Sequence, residues 1–347
     1  MIVRSRAPLR LGLAGGGTDV SPFTDIYGGY VLNATIDRYA YASIAPVADG
    51  MVKFEGTDTQ QNFSCTLSGV IPLTGELVLH KAVYNYIVQN YNHEEPLPVE
   101  VRTFCEAPPG SGLGSSSTLV VAMLRAYVEY LNIPMDDYLL AQIAYTIERE
   151  DCGMQGGRQD QYAAAFGGFN FMEFYAEGRT VINPLRIKNW ILTEFESSIL
   201  LYFTGISRDS ASIIKEQSKS VNSSDKGSLE AMLEMKHEAL KMKECLLRGD
   251  FAGLSASFRN GWESKKRSAK LISNPCIEES YETAMRAGAL AGKVSGAGGG
   301  GFMMFVVPPE KRMNVVRELG KLSGEIVPAH FSPNGVQSWW MSEPLGV

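Results

Sequence analysis

The feature that most constrains this chain is the tract Pro108-Pro109-Gly110-Ser111-Gly112-Leu113-Gly114-Ser115-Ser116-Ser117-Thr118. It follows an alternating stretch, Val99–Cys105, that reads as a strand. It runs into an apolar-periodic stretch, about Ser116–Leu131, that reads as a helix stopped by Pro134. Glycines at alternate positions let successive backbone N–H groups turn toward one point with no Cβ in the way. The start of the helix adds N–H groups without an intrahelical partner and the positive end of the dipole, so the order strand, loop, helix specifies an anion site. The three serines add hydroxyl donors and an oxygen suited to magnesium. The loop contains no Lys or Arg, so backbone and hydroxyl groups carry most of the binding.

Two better-known phosphate loops are excluded by spacing. A Walker A loop needs GxxxxGK[ST], and no Lys follows Gly114. A dinucleotide fingerprint needs GxGxxG, and Gly110, Gly112 and Gly114 fall one residue short.

The other classes are excluded by composition and pattern. The 347 residues carry a net charge of −6 and a pI of about 5.4, with no basic tract that suits nucleic acid. Lys265, Lys266 and Arg267 form the densest basic cluster, and a run this short reads as a solvated helix face. The apolar runs, such as Leu119–Leu124, are far shorter than a membrane span, and Leu11–Ala14 is too short for a signal-peptide core. Five dispersed cysteines without a CxxC pair predict a reducing, cytoplasmic setting, and the four histidines show no zinc spacing. The length suits about two domains, with a boundary expected near residue 190, dividing 1–190 from 191–347. Strands are expected at Met1–Leu13, Val31–Pro46, Gly168–Phe174, Ser198–Thr204 and Phe302–Val307. Helices are expected at Lys81–Tyr91, Asp136–Glu150, Ser228–Met242, Phe251–Ala269 and Ile277–Ala287, with a polar loop at Lys219–Lys226.

An anion site becomes a phosphoryl-transfer site when a hard-cation ligand and a group that orients or deprotonates a hydroxyl stand beside it. Glu148, at the end of the Asp136–Glu150 helix, and Asp160, in Gly156-Gly157-Arg158-Gln159-Asp160-Gln161, can supply those roles if the intervening turn folds back on the loop.

With two further motifs, Ala7-Pro8-Leu9-Arg10 through Gly15-Gly16-Gly17-Thr18-Asp19 and Lys293-Val294-Ser295-Gly296-Ala297-Gly298-Gly299-Gly300-Gly301, the chain resembles the GHMP kinases across nearly its whole length. The resemblance implies a two-domain α+β fold, with an N-terminal ribosomal-protein S5-like ATP-binding domain, a ferredoxin-like α+β C-terminal domain, and an active site in the cleft between them. It implies ATP and Mg2+ as cofactors. Pro109 to Ser117 would bind the nucleotide, Ser116 and Glu148 the magnesium. Asp160 would be the catalytic aspartate with Arg10 beside it, and Gly16, Gly17, Thr18, Asp19, Gly298 and Gly299 would meet the substrate.

Within the family, Leu13-Ala14-Gly15-Gly16-Gly17-Thr18-Asp19 departs from the Gly-Glu-His-Thr-Asp pattern of galactokinases. Together with Gly156–Tyr162 it is similar to the bacterial kinases of D-glycero-D-manno-heptose 7-phosphate, which phosphorylate the anomeric C1 hydroxyl to give the 1,7-bisphosphate for nucleotide-heptose synthesis. The partner implied is thus a small sugar phosphate, with neither nucleic acid nor membrane. A phosphorylated sugar needs a cation at its far end; Arg158 and Arg208 are the candidates, with Lys293 a third. A fucokinase-like enzyme acting on a free sugar and a catalytically silent ATP- and sugar-binding sensor fit the same frame.

Overall fold

A computed structural model describes residues 1–67, 69–205, 210–222 and 226–342. The chain opens on strand β1 (Ile2–Ala14) and, after a short helix α1 (Phe23–Tyr27), continues in the 18-residue β2 (Gly29–Pro46). β1 changes character at Pro8. Before it, Val3, Ser5 and Ala7 are buried and alternate with half-exposed neighbours, the pattern of a strand with one covered face. From Pro8 to Ala14 both faces are buried. The antiparallel register between β1 and β2 shifts between Pro8 and Arg10. An irregularity of this kind bends a strand and re-aims a side chain, and here it falls on the first motif.

β3 (Met51–Gly56) and β4 (Gln61–Thr66) form a hairpin, and β3 runs parallel to β5 (Val99–Cys105). β6 (Phe169–Phe174) pairs with the first part of β2, and β7 (Thr180–Pro184) pairs with β6. The last strand, β12 (Gln337–Met341), returns to pair with β1, giving the path β12-β1-β2-β5-β3-β4. A division at residue 190 therefore leaves the C-terminal strand on the sheet of the first unit. Helix α2 (Val78–Tyr91) follows the hairpin. Helix α3 (Ser115–Tyr130) buries Val120, Val121, Met123, Leu124, Tyr127 and Val128 against the sheet, and Ser5 Oγ donates to the Ala122 carbonyl at 2.6 Å. Helices α4 (Asp137–Thr146) and α5 (Gln159–Phe166) pack beside α3.

The second unit begins with α6 (Asn189–Ser198) and β8 (Ile199–Phe203). Its antiparallel sheet, ordered β11-β8-β10-β9, also contains β9 (Ala291–Val294), β10 (Phe302–Val306) and β11 (Glu325–Val327). Helices α7 (Ser210–Asn222), α8 (Lys226–Arg248), α9 (Phe251–Ser268), α10 (Pro275–Ala287) and α11 (Pro309–Leu319) complete it. Helix α7 extends through Lys219, where a loop is expected from the polar sequence. Every residue of β10 is buried, and its period of two splits the sequence between two cores. Phe302, Met304 and Val306 join the core shared with the first sheet, while Met303 and Phe305 join a second core under α10 and α11. The two units thus share one core through one face of the small sheet.

His80 on α2 gives this fold a specific acid sensitivity. Its side chain is buried with Nε2 2.8 Å from Thr103 Oγ1, and burial pushes its pKa down to about 4 from 6.5. Between those values the unfolded chain binds the extra proton. Stability is therefore full above pH 6.5 and is lost as pH falls toward 4, by on the order of 3 kcal/mol. Urea unfolding at pH 7 and pH 4.5 should show this loss, and His80→Gln should flatten it. An equal pH dependence in the variant would remove His80 as the cause.

Candidate functional site

Three segments distant in sequence meet at Arg10. Its Nε donates to Asp160 Oδ1 at 2.7 Å, and its Nη1 donates to the Gly112 carbonyl at 2.7 Å and to Ser295 Oγ at 3.4 Å. Ser295 Oγ in turn donates to the same carbonyl at 2.8 Å. Arg10 is 3% exposed, so its charge is tolerable because the carboxylate and carbonyl answer it. Asp160 lies in the first turn of α5, against Gly114 of the phosphate loop, where a Cβ would come within 3.1 Å of the carboxylate carbon.

The phosphate loop turns on Gly110, Gly112 and Gly114, all at positive φ, and Gly114 caps α3 with no side-chain hydrogen bond. The first N–H groups of α3 are thus not capped by a side chain there. Behind them stands a buried carboxylate. Glu148 accepts from Ser116 Oγ at 2.7 Å, Ser117 Oγ at 2.5 Å and Gln161 Nε2 at 2.7 Å, and Arg149 Nη1 lies 3.3 Å away. The residues Ile147–Asp151 form a single π-helical turn, a local overwide turn that recurs at functional sites. The expected continuous helix Asp136–Glu150 therefore changes to the wider turn at Glu148.

On the other side of Arg10 the cleft is lined by Gly16, Gly17, Asp19, Gly157, Gln159 and Lys265. Asp19 accepts from the backbone N–H groups of Gly17 and Gln159 and from Gln159 Nε2, at 3.0–3.2 Å. Lys293 donates to the carbonyls of Gly12 and Leu13 at 2.8 and 3.0 Å, so it fixes the approach to the first motif. Burial and the neighbouring Lys265 and Arg10 hold its pKa well below the usual lysine range. A second, mostly apolar pocket opens across the phosphate loop. Leu77, Val78, Leu79, Leu119 and Met154 line it, and it shares Gly110, Ser115 and Ser116 with the polar cleft.

Residues 78–168 match the GHMP kinases N terminal domain, and residues 242–323 match the GHMP kinases C terminal domain. The chain is 46% identical over 337 residues to the D-glycero-alpha-D-manno-heptose 7-phosphate kinase of Campylobacter jejuni, covering 97% of this chain and 98% of that one. It superposes with a TM-score of 0.84, at 43% identity over 98% of this chain and 100% of the other, on a crystal structure described as a D-glycero-D-manno-heptose 1-phosphate kinase from Bacteroides thetaiotaomicron. A more distant relative, the L-fucokinase/L-fucose-1-P guanylyltransferase of Bacteroides fragilis, is 26% identical over 92% of this chain and 36% of its own length.

This chain belongs to the GHMP kinase family. As a GHMP kinase it is an ATP-dependent phosphotransferase with the two-unit α+β fold of that family. Arg10, Asp160, Gly110, Gly112, Gly114, Ser115 and Ser116 line one cleft with Gly16, Gly17 and Asp19 on its far wall, while Glu148 is buried behind Ser116, and Ser111, Leu113 and Ser117 are buried rather than on the cleft.

Other expected residues are engaged elsewhere in this GHMP kinase. Thr18 is fully buried; its hydroxyl donates to Gly15 O at 2.8 Å and accepts from Tyr30 N at 3.1 Å, stapling the first glycine turn to β2. Gly298 and Gly299 pack on Ile272, whose carbonyl accepts from Gly299 N at 2.8 Å, while Gly296 and Ala297 are the third-motif residues on the cleft. Arg158 donates to the Tyr175 carbonyl at 3.1 Å and lies 3.7 Å from Asp25, away from the cleft. Arg208 lies outside the described residues.

Lys265, expected on a solvated face, is instead buried in the cleft; Lys266 and Arg267 are the members of that cluster paired with surface carboxylates, Glu263 and Glu234. The signal was present in the spacing. Lys265 follows Trp262 by three residues and Phe258 by seven, on the buried stripe of α9. Gln159 and Gln161, which orient Asp19 and Glu148, carried no such signal.

Gly157 gives a test of the sugar-binding part expected of Asp19. A Cβ there would fall 2.0 Å from Asp19 Oδ2, so Gly157→Ala must displace the carboxylate. The variant should fold, keep its KM for ATP within about twofold, and lose about 100-fold in kcat/KM for the sugar, as a small misplacement of a positioning group does. An unchanged sugar kcat/KM would show that Asp19 has no part in the site.

Proposed function

We propose that this protein transfers the γ-phosphoryl of ATP to the anomeric C1 hydroxyl of D-glycero-D-manno-heptose 7-phosphate, giving the 1,7-bisphosphate. The observation that carries the reaction type is the Arg10–Asp160 pair, 2.7 Å apart, where the phosphate loop and the Asp19 wall converge. The substrate follows from the 46% identity, over nearly both whole chains, with a kinase of that sugar phosphate. The five cysteines are free thiols, in keeping with a cytoplasmic setting, which is part of the same proposal.

The apolar pocket beside Leu77–Leu79 takes the adenine, and the N–H groups of the loop and the first turn of α3 take the phosphates. The paired oxygens of Ser116 and Glu148 fit a magnesium ion. Both are hard donors, and a cation that keeps waters and phosphate oxygens needs only one or two such ligands from protein. When bound, the ion neutralises charge on the phosphate oxygens.

The chain's own residues do the rest. Asp19 and the Gly16–Gly17 turn orient the sugar. Asp160 accepts the C1 hydroxyl proton as that oxygen bonds to the γ-phosphorus, while the bond from phosphorus to the β–γ bridging oxygen breaks and ADP leaves. Arg10 keeps Asp160 aimed and answers the charge on the phosphoryl in flight.

Free-sugar phosphorylation of the fucokinase kind is a second reading, favoured by the engagement of Arg158 away from the cleft. ADP release measured with heptose 7-phosphate, mannose 6-phosphate, fucose and galactose separates the two. Turnover confined to heptose 7-phosphate is expected, and turnover of unphosphorylated sugars alone would reject the proposed substrate. Asp160→Asn should lower kcat by at least about 100-fold with ATP affinity nearly unchanged. Retained turnover would remove the base role.

A further inference from the structure

The cleft holds more positive charge than its pairs consume. Arg10 and Lys265 line its floor, Lys293 is buried close enough to both to feel their charge, and Asp160 and Asp19 are the carboxylates that line it. Asp160 is taken by Arg10, and Asp19 by backbone and amide donors. Among the described residues no carboxylate lies within ion-pair distance of Lys265 or Lys293. Lys293 has two carbonyls as partners, whereas Lys265 donates to the Gly296 carbonyl and has protons to spare.

Lys265 is 4% exposed, yet it lines the cleft beside Gly296 and Ala297. Gly296 is itself in backbone contact with the phosphate loop, since a Cβ there would come within 2.7 Å of Gly112 Cα. The ammonium therefore stands where the loop, the Arg10–Asp160 pair and Asp19 meet. Burial, then Arg10, with Asp19 opposing, brings its pKa down to about 8. A buried, under-paired ammonium is costly, and an incoming anion relieves that cost.

We propose that Lys265 is a phosphate-contacting residue of this kinase, its ammonium donating to a non-bridging oxygen of a phosphate group in the cleft between Arg10 and Asp19. The inference rests on the kinase reading. The phosphate has two sources with the same chemistry: the phosphoryl in transfer, or the ester already carried by the sugar. Lys265 neither makes nor breaks a bond; it is a fixed donor supplied by the C-terminal unit to a site whose loop contains no cation of its own.

Two measurements on the full chain decide it. The first is steady-state turnover of Lys265→Met and Lys265→Arg with heptose 7-phosphate and with unphosphorylated heptose. Lys265→Met should lose about 100-fold in kcat/KM on the phosphorylated sugar with the KM for ATP little changed, and Lys265→Arg should recover at least about tenfold of that. A loss in kcat on both sugars assigns the contact to the phosphoryl in transfer. A rise in KM confined to the phosphorylated sugar assigns it to the sugar's own ester.

The second is nitrogen-15 NMR of the lysine ammonium groups, with the Lys265 signal identified by its loss in either variant. Added inorganic phosphate should shift that signal and raise the pH at which it titrates. Lys265→Met within threefold of wild type on every sugar turned over, or a Lys265 signal that phosphate does not move, overturns the proposal. If wild type turns over neither heptose, the proposed substrate fails by itself, and the phosphate titration still decides for Lys265.

Discussion

The buried guanidinium of Arg10 is the interaction on which the site depends. It ties β1 to α5 through Asp160, to the phosphate loop through the Gly112 carbonyl and to the third glycine motif through Ser295. Removing one partner of such a buried pair costs about 3–5 kcal/mol, because the other charge is left unanswered. The same point is closed by backbone packing that only glycine permits. A Cβ on Gly112 would come within 2.5 Å of the Ser295 carbonyl oxygen, and one on Gly301 within 2.2 Å of the Ser111 carbonyl oxygen. The two glycine tracts, nearly 200 residues apart in sequence, are halves of one interlock, and the hydrogen bond from Phe302 N to Ser111 O at 2.9 Å fastens it.

That interlock bears on how a loop without a lysine can take the phosphate role proposed for it. Its glycines sit at positive φ and the start of its helix has no side-chain cap, while cations line the cleft beside it from other elements. Arg10 comes from β1, Arg149 from the π-helical turn and Lys265 from α9. Distributing the charge in this way couples anion binding to the packing of both units. It also divides the surroundings of the loop into a polar side beneath Asp19 and an apolar side beneath Leu77–Leu79. A ligand that is a flat apolar base at one end and a reacting phosphate at the other matches that division.

Much of this was legible in the sequence because its determinants are local. The strand Val99–Cys105 and the helix after the phosphate loop have strong periodicity and clear punctuation, and the structure gives the former the same limits. Ser116 with Glu148 and Arg10 with Asp160 were legible through the motif order, and the structure brings each pair within hydrogen-bonding distance. What escaped depends on contacts between distant segments. Nothing in Gln337–Met341 announces that it will pair with β1. Arg158 sits inside a recognisable motif, yet the carbonyl of Tyr175 and the carboxylate of Asp25 claim it. Lys265 was hidden by its own neighbours. Three consecutive cations read as a surface, although a helix rotates about 100° per residue and one of the three must differ in direction from the others.

Glu148 and Asp160 differ in setting in the way their proposed roles require. Glu148 is wholly buried and answered by two hydroxyls, an amide and a guanidinium, so most of its lone-pair directions are committed and its position is rigid. Of those partners Ser116 and Arg149 line the cleft and Ser116 is the more exposed, which suits the Ser116–Glu148 contact to the cation proposed there. Asp160 keeps about a fifth of its side chain exposed, with Arg10 on one oxygen and the other facing the cleft near Gly114. A group that must exchange a proton needs an oxygen that substrate can reach, and a group that must fix a cation needs rigidity instead. The difference lies in the elements that bear them. Glu148 rides on an overwide turn sealed behind α3, and Asp160 stands in the first turn of a helix that opens onto the cleft.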